Sequence, residues 1–163
     1  MQRRTYAVTG SASGIGLATK ELLESQGHRV IGIDLRDAEV EVDLSSPEGR
    51  RSLPQLVAEA AGGGLDAIIA VAGVAVMSAL TVKVNYFGAR DSVELLRPLL
   101  SESAAPRVAV VASFSSLQEN EPDLVAALEA GDEDAAAALA DTMVEDGRSQ
   151  FIYASTKRAI AEW

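Results

Sequence analysis

Tyr153 and Lys157 stand four residues apart in QFIYASTKRAIAEW, the stretch that closes the chain. On a helix that spacing brings both side chains to one face. A free phenol has a pKa of about 10 and moves protons poorly near neutrality. A neighbouring ammonium favours the phenolate and lowers that value. An acid–base group tuned closer to the working pH suits the interconversion of a carbonyl and an alcohol. Taken alone, the same pair is also what the surface of any amphipathic helix carries. The pair therefore needs a setting.

The other end of the chain offers one. TGSASGIG, residues 9–16, joins an apolar strand to a helix. Gly10, Gly14 and Gly16 allow a tight turn and close approach of backbone to a ligand. The helix behind them aims its free N–H groups and positive dipole end at a phosphate. Ser13 and Ile15 belong to the same turn. Three residues separate Gly10 from Gly14, which differs from the G-x-G-x-x-G spacing, and an ordinary glycine-rich connection would read the same way without the strand before and the helix after. Asp34, at the end of the second strand, adds a carboxylate that can accept hydrogen bonds from ribose hydroxyls. It would repel a 2′-phosphate, so NAD is expected rather than NADP, although Arg36 nearby blunts that preference. Asp43, at the end of the third strand, could meet the adenine amine or could cap the next turn.

These residues need elements to hold them. TYAVTG, HRVIGID, EVEVDL, LDAIIAVAG and PRVAVVAS read as five strands. Between them, IGLATKELLESQG carries Ile15, Ala18, Leu22 and Leu23 near one face and meets Gly27 as its stop. SSPEGRRSLPQLVAEAAGGG is capped by Ser45 or Ser46, with Pro54 expected to start the regular helix. TVKVNYFGARDSVELLRPLL is helical, with Val84, Phe87, Val93, Leu96 and Leu100 as its buried side. Alternating strands and helices predict a doubly wound α/β domain with a parallel sheet, and the continuous apolar strands predict cover on both faces.

Composition bounds the possibilities. The 163 residues are 48% hydrophobic, which is enough for one packed domain. No apolar run is long enough to cross a bilayer, and the N-terminus lacks the pattern of a signal peptide. There is no cysteine, hence no disulfide and no thiolate metal site. A cytoplasmic protein is expected. The net charge of −10 argues against nucleic acid. Ten of the 24 acidic residues lie between Leu117 and Gly147, a stretch with no basic residue; elsewhere 14 acidic residues balance 14 basic ones. That stretch reads as two short alanine-rich helices joined at Gly131. The single histidine, His28, follows Gly27 with no partner evident, so neither a histidine triad nor a histidine metal cluster is available.

In this order, TGSASGIG, NYFG, VVAS and YASTK resemble the short-chain dehydrogenase/reductase family, and the resemblance runs along the whole chain. GIDLRDAEVEVDLSSPEGR, VNYFGA, ALEAG and the long stretch before Tyr153 point within it to the bacterial hydroxysteroid dehydrogenase and carbonyl reductase members. The resemblance implies a Rossmann fold and an NAD-dependent exchange between a secondary alcohol and a ketone, a 3α-hydroxysteroid or another carbonyl compound. It implies that Tyr153 is the acid–base group and that Lys157 tunes it and holds the nicotinamide ribose. Asn85 would hold a water leading from Lys157 to solvent. Ser113 would bond the reacting oxygen; ASFSS also offers Ser115 and Ser116, with Ser115 the second choice. Ala72 and Gly73 would lie at the adenosine ribose. Members of the family often carry Asn-Asn-Ala-Gly where this chain has AVAG, which puts some sheet-bracing hydrogen bonds in doubt. A homodimer or homotetramer acting on a small alcohol or ketone is implied, with no nucleic acid or membrane partner. A dinucleotide-binding module without turnover, and an epimerase or dehydratase on the same fold, are the alternatives.

One dinucleotide-binding domain is thus expected over residues 1–163, with an acidic helical insertion at about residues 117–148. The insertion could wall the substrate pocket, alter the subunit contact, or be an exposed excursion. A sheet of this type has a sixth strand and, in the family, a seventh. The chain is therefore expected to be the N-terminal part of a longer one.

Overall fold

A computed structural model describes residues 3–163. They form two compact units. The first comprises the chain up to Ala72 together with Asp91–Val111; the second comprises Gly73–Arg90 together with Ala112–Trp163.

The first unit is a five-stranded sheet, all parallel, in the order β3-β2-β1-β4-β5. Its strands are β1 (Thr5–Thr9), β2 (Arg29–Asp34), β3 (Val40–Glu41), β4 (Ala67–Ala70) and β5 (Arg107–Val110). The register pairs Ala7 with Ile31 and with Ile68, so the interior is built from short apolar side chains of the middle strands. Ala7, Val8, Ile33 and Ile68 are wholly buried. Strand order reverses beside β1, and the carboxyl ends of strands at such a switch point are where α/β sheets take their ligands. Helices α1 (Gly14–Ser25) and α2 (Pro47–Ala61) flank the sheet, giving the Rossmann-like arrangement the alternation predicts. Among the described residues, no helix is long and apolar enough to cross a membrane, and no cluster of three or more potential ligands could hold a metal.

Several expectations change. β3 spans only Val40–Glu41 and does not run to Asp43. Val40, Val42 and Leu44 are all buried, so the period-two pattern is real, but the chain turns at Asp43 before the ladder can continue. Pro54 lies inside α2 and does not start it. Ser46 caps the helix by accepting from the Gly49 amide, Pro47 sits at its first position, and Leu53, Val57 and Ala61 bury one face. That burial outweighs the one hydrogen bond a proline removes. Arg50 adds to it: 2% exposed, it donates to the Asp91 carboxylate at 2.7 Å and to the Leu44 carbonyl at 3.0 Å. Cover on both faces holds for β1, β2 and β4 but not for the edge strand β5, where Val108 is 44% exposed. Ile15 and Leu22 on α1 are likewise exposed, and among the residues of that helix Gly16 is the buried one.

The second unit is helical and is organised around α7 (Gln150–Glu162). Against α7 pack α3 (Ala79–Val82), a π-helical turn (Lys83–Gly88), a 3-10 turn (Phe114–Leu117) and α5 (Pro122–Glu129). The π turn runs on into α4 (Ala89–Leu96). Its wider winding shifts the helical register, so Val84 is only half-buried while Asn85, Tyr86 and Phe87 are buried. Helix α6 (Glu133–Glu145) completes the acidic stretch, with Gly131 turning the chain at φ +75°. This stretch packs on its neighbours: Leu124, Leu128, Ala136 and Ala140 are fully buried, and α5 and α6 lie on α7 and α3. Asp123, Glu129, Asp134, Asp141 and Glu145 are exposed, whereas Glu121 and Glu133 are half-buried.

Candidate functional site

In the first unit the glycine turn is held tightly. Gly10 and Gly14 have φ of +69° and +53°, the left-handed region that glycine reaches at no steric cost. The Gly10 amide donates to the Ile33 carbonyl at 2.8 Å, which seats the turn on the end of β2. Gly16 is required for a different reason. A Cβ there would lie 2.0 Å from the Gly10 carbonyl oxygen, so helix and turn can approach only without a side chain. Ser13 is the first flanking residue of α1, extended, and its hydroxyl does not cap the helix. The turn, the helix end that follows it and the surrounding amides suit a dinucleotide's phosphates.

Asp34 lies where expected, and it also braces the turn. One carboxylate oxygen accepts from the Ala12 amide at 2.9 Å and the other from the Leu35 amide at 2.7 Å. A carboxylate has further lone pairs for ribose hydroxyls. Asp43 is engaged locally, accepting from both the amide and the hydroxyl of Ser45 at 2.8 and 2.7 Å, the capping role among its two expected ones. Ala72 packs against the turn: a Cβ on Gly10 would sit 2.9 Å from its Cα.

Sequence reasoning missed two braces here. The Thr9 hydroxyl accepts from the amides of Val71 and Ala72, both at 3.0 Å, across 62 and 63 residues of chain. It supplies bracing at the AVAG stretch, where asparagines are absent. Glu39 accepts from the Gly32 amide at 2.8 Å and pairs with Lys20. Burial alone would raise the Glu39 carboxyl, but the Lys20 ammonium and the Gly32 amide outweigh it and hold the group below the usual carboxylate range. His28, expected to be unpaired, accepts from the Arg4 amide through Nδ1 at 3.3 Å, with its ring tilted against Tyr6.

The second unit brings together the candidate acid–base residues. Tyr153 and Lys157 are one turn apart on α7, with the ammonium 5.9 Å from the phenol ring centroid. Lys157 is 5% exposed, and burial pushes its ammonium below the usual lysine value. Gly73 leaves room beside it: a Cβ there would lie 3.7 Å from Lys157 Nζ and 3.3 Å from Asn85 Oδ1. The π turn faces Asn85 inward, wholly buried. Its carboxamide accepts from the Val74 amide at 2.8 Å and donates to the Val74 carbonyl at 2.9 Å. It also reaches Thr156 Oγ1 at 3.5 Å, and that hydroxyl donates to the Tyr153 carbonyl at 2.8 Å. Asn85 is thus tied to the helix of Tyr153 and Lys157 through one buried threonine.

Ser113 is half-buried at the start of the 3-10 turn that packs on α7. Its hydroxyl accepts from the Ser115 amide at 3.1 Å, which leaves the hydroxyl proton to donate elsewhere. Ser115 lies within the turn that Ser113 caps.

No family model matches the chain. It is 37% identical over 158 residues, 94% of its length, to the 3-alpha-hydroxysteroid dehydrogenase/carbonyl reductase of Comamonas testosteroni. It is 42% identical to the crystal structure of the 3-alpha-hydroxysteroid dehydrogenase from Pseudomonas sp. B-0831 complexed with NADH, which it matches over 96% of its length with a TM-score of 0.88. The chain spans 61% and 62% of the length of these two proteins. Salutaridine reductase of Papaver somniferum, 22% identical, shares the fold over 97% of this chain and 79% of its own, with a TM-score of 0.71. Sequence identity maintained nearly end to end, on a glycine turn and a Tyr–Lys helix placed as described, makes the chain similar to the short-chain dehydrogenases/reductases over the part of those proteins that it spans.

Proposed function

We propose that this chain carries the cofactor and acid–base residues of an NAD-dependent oxidoreductase that interconverts a secondary alcohol and a ketone, a 3α-hydroxysteroid or a related carbonyl compound. The observation that carries the reading is the α7 geometry: Tyr153 one turn from a buried Lys157, with Gly73 and Asn85 beside the ammonium. Support for the substrate class comes from the Comamonas and Pseudomonas relatives, whose names specify 3α-hydroxysteroids, and for NAD from the second being an NADH complex.

The residues divide the work. The Gly10–Gly16 turn and α1 bind the pyrophosphate, and Asp34 takes the adenosine ribose hydroxyls and disfavours a 2′-phosphate. Ala72 and Gly73 pass close to that ribose. A bound nicotinamide supplies the chemistry of accepting or giving the hydride exchanged with the substrate carbon. In the oxidation direction, Tyr153 takes the hydroxyl proton as the carbon gives up hydride, leaving a ketone. In reduction, it returns the proton to the oxygen. Ser113 donates to that oxygen and orients it. Lys157 places positive charge beside the phenol and holds the nicotinamide ribose, and Asn85 fixes the path by which the proton reaches water. A cytoplasmic homodimer or homotetramer is the assembly that belongs to this reading.

The test is NADH oxidation by the chain against a panel of steroidal and simple ketones, with Tyr153→Phe alongside. The substitution is expected to abolish turnover while NADH binding, read by fluorescence, persists. Equal rates in the two proteins would remove the role given to Tyr153. NADH binding without turnover on any ketone would favour a binding module.

A further inference from the structure

We propose that Ser155 is a positioning residue that fastens the acidic excursion, and with it the segment bearing Ser113, to the helix bearing Tyr153 and Lys157; this rests on the function proposed above. Ser155 is wholly buried. Its hydroxyl donates to the Phe151 carbonyl at 2.8 Å and accepts from the Glu121 amide at 2.9 Å. The first bond fixes the proton, so a lone pair is aimed at the second partner. Glu121 stands immediately before α5, the opening helix of the excursion. Its carboxylate pairs with Arg148, two residues before α7 begins, and the Arg148 amide donates to the Met143 carbonyl at 2.7 Å. Both ends of the excursion are therefore held at one base, and the Ser155 hydroxyl fixes that base to α7.

Residues two positions away on a helix point to another face. Ser155 consequently does not share the face of Tyr153 and Lys157. It acts through the placement of the backbone. Eight residues lead from Ser113 to Glu121, and the 3-10 turn at their start already lies on α7. Burial of Leu124, Leu128, Ala136, Ala140 and Met143 holds the excursion on its neighbours, but apolar contact is non-directional. A buried hydroxyl bonded on both sides supplies the register. The Glu121–Arg148 ion pair is partly exposed on both sides and contributes little by comparison.

The experiment follows amide hydrogen exchange at Glu121, Ser115 and Ser116, together with kcat and the KM for NADH, in Ser155→Ala, Ser155→Cys and Arg148→Met. In Ser155→Ala, all three amides are expected to exchange faster and kcat to fall about tenfold or more with KM for NADH unchanged, since small misplacements of reacting groups are costly. Ser155→Cys should fall between, and Arg148→Met should stay near the parent in every measure. Faster exchange at Glu121 with Ser115, Ser116 and kcat unchanged would overturn the proposal. So would a rise in the KM for NADH that matches the loss in kcat, because general damage then explains both. The exchange data stand without turnover, and Tyr153→Phe should leave them at parent level, so failure of this proposal is distinguishable from failure of the proposed function.

Discussion

Asn85 holds Val74 at both of its backbone groups, accepting from the amide at 2.8 Å and donating to the carbonyl at 2.9 Å. A wholly buried carboxamide used in this bidentate way cannot be exchanged for its acid isostere without consequence. In Asn85→Asp the ionised side chain would set an oxygen against the Val74 carbonyl, while the protonated acid could still donate to it. The expected cost at neutral pH is about 1–3 kcal/mol, that of a buried acceptor set against another acceptor. Urea midpoints of both proteins at pH 7 measure it. Equal midpoints would contradict the bidentate role.

Gly14 and Gly16 are two residues apart in one turn, yet alanine should act on them very differently. At Gly14 an added Cβ meets nothing within 4 Å, and the cost is that of φ +53° for an ordinary residue, about 1–2 kcal/mol. At Gly16 the Cβ would lie 2.0 Å from a backbone oxygen, so the turn itself has to move. Gly16→Ala is expected to be the more destabilising and, on the proposed function, to weaken NADH binding at least tenfold, because the amides assigned there to the phosphates shift with the turn. Gly14→Ala should lose little more affinity than its stability cost accounts for. Fluorescence titration with NADH and thermal melts of both variants check the contrast, and the reverse order would show that the close approach at Gly16 is not what the site needs.

The sequence carried these glycines, Asp34, Tyr153 and Lys157 because each sits in a short pattern whose periodicity or punctuation is local. The sheet was legible for the same reason: buried parallel strands read as continuous apolar runs. What was not legible depends on residues far apart or on a change of winding. Val84 was expected inside because a uniform helical period puts it there, and the π turn moves Asn85 inward in its place. Pro54 reads as a helix start, since nothing local shows that Ser46 and the buried face of α2 carry the helix through it. Thr9 and Ser155 look like ordinary polar residues. Their partners lie 62 and 34 positions away, and only the folded chain brings them together.

Burial of the Lys157 ammonium costs the fold stability. The ammonium is almost fully buried on α7, and that burial lowers its pKa below the ordinary lysine value near 10.5. Between the two values the unfolded chain binds more protons than the folded one, so stability rises with pH across that window, and below it the cost of the buried charge is present in full. Lys157→Met keeps the length of the side chain and removes the charge. The variant is expected to melt at a higher temperature than the parent at pH 7, with the gap narrowing as pH approaches 10, and to lose ketone reduction under all conditions. Scanning calorimetry of the two proteins at pH 7, 8.5 and 10 measures the gap. If the parent melts higher at pH 7, the interactions Lys157 makes outweigh the burial of its charge, and the ammonium stabilises the folded chain there.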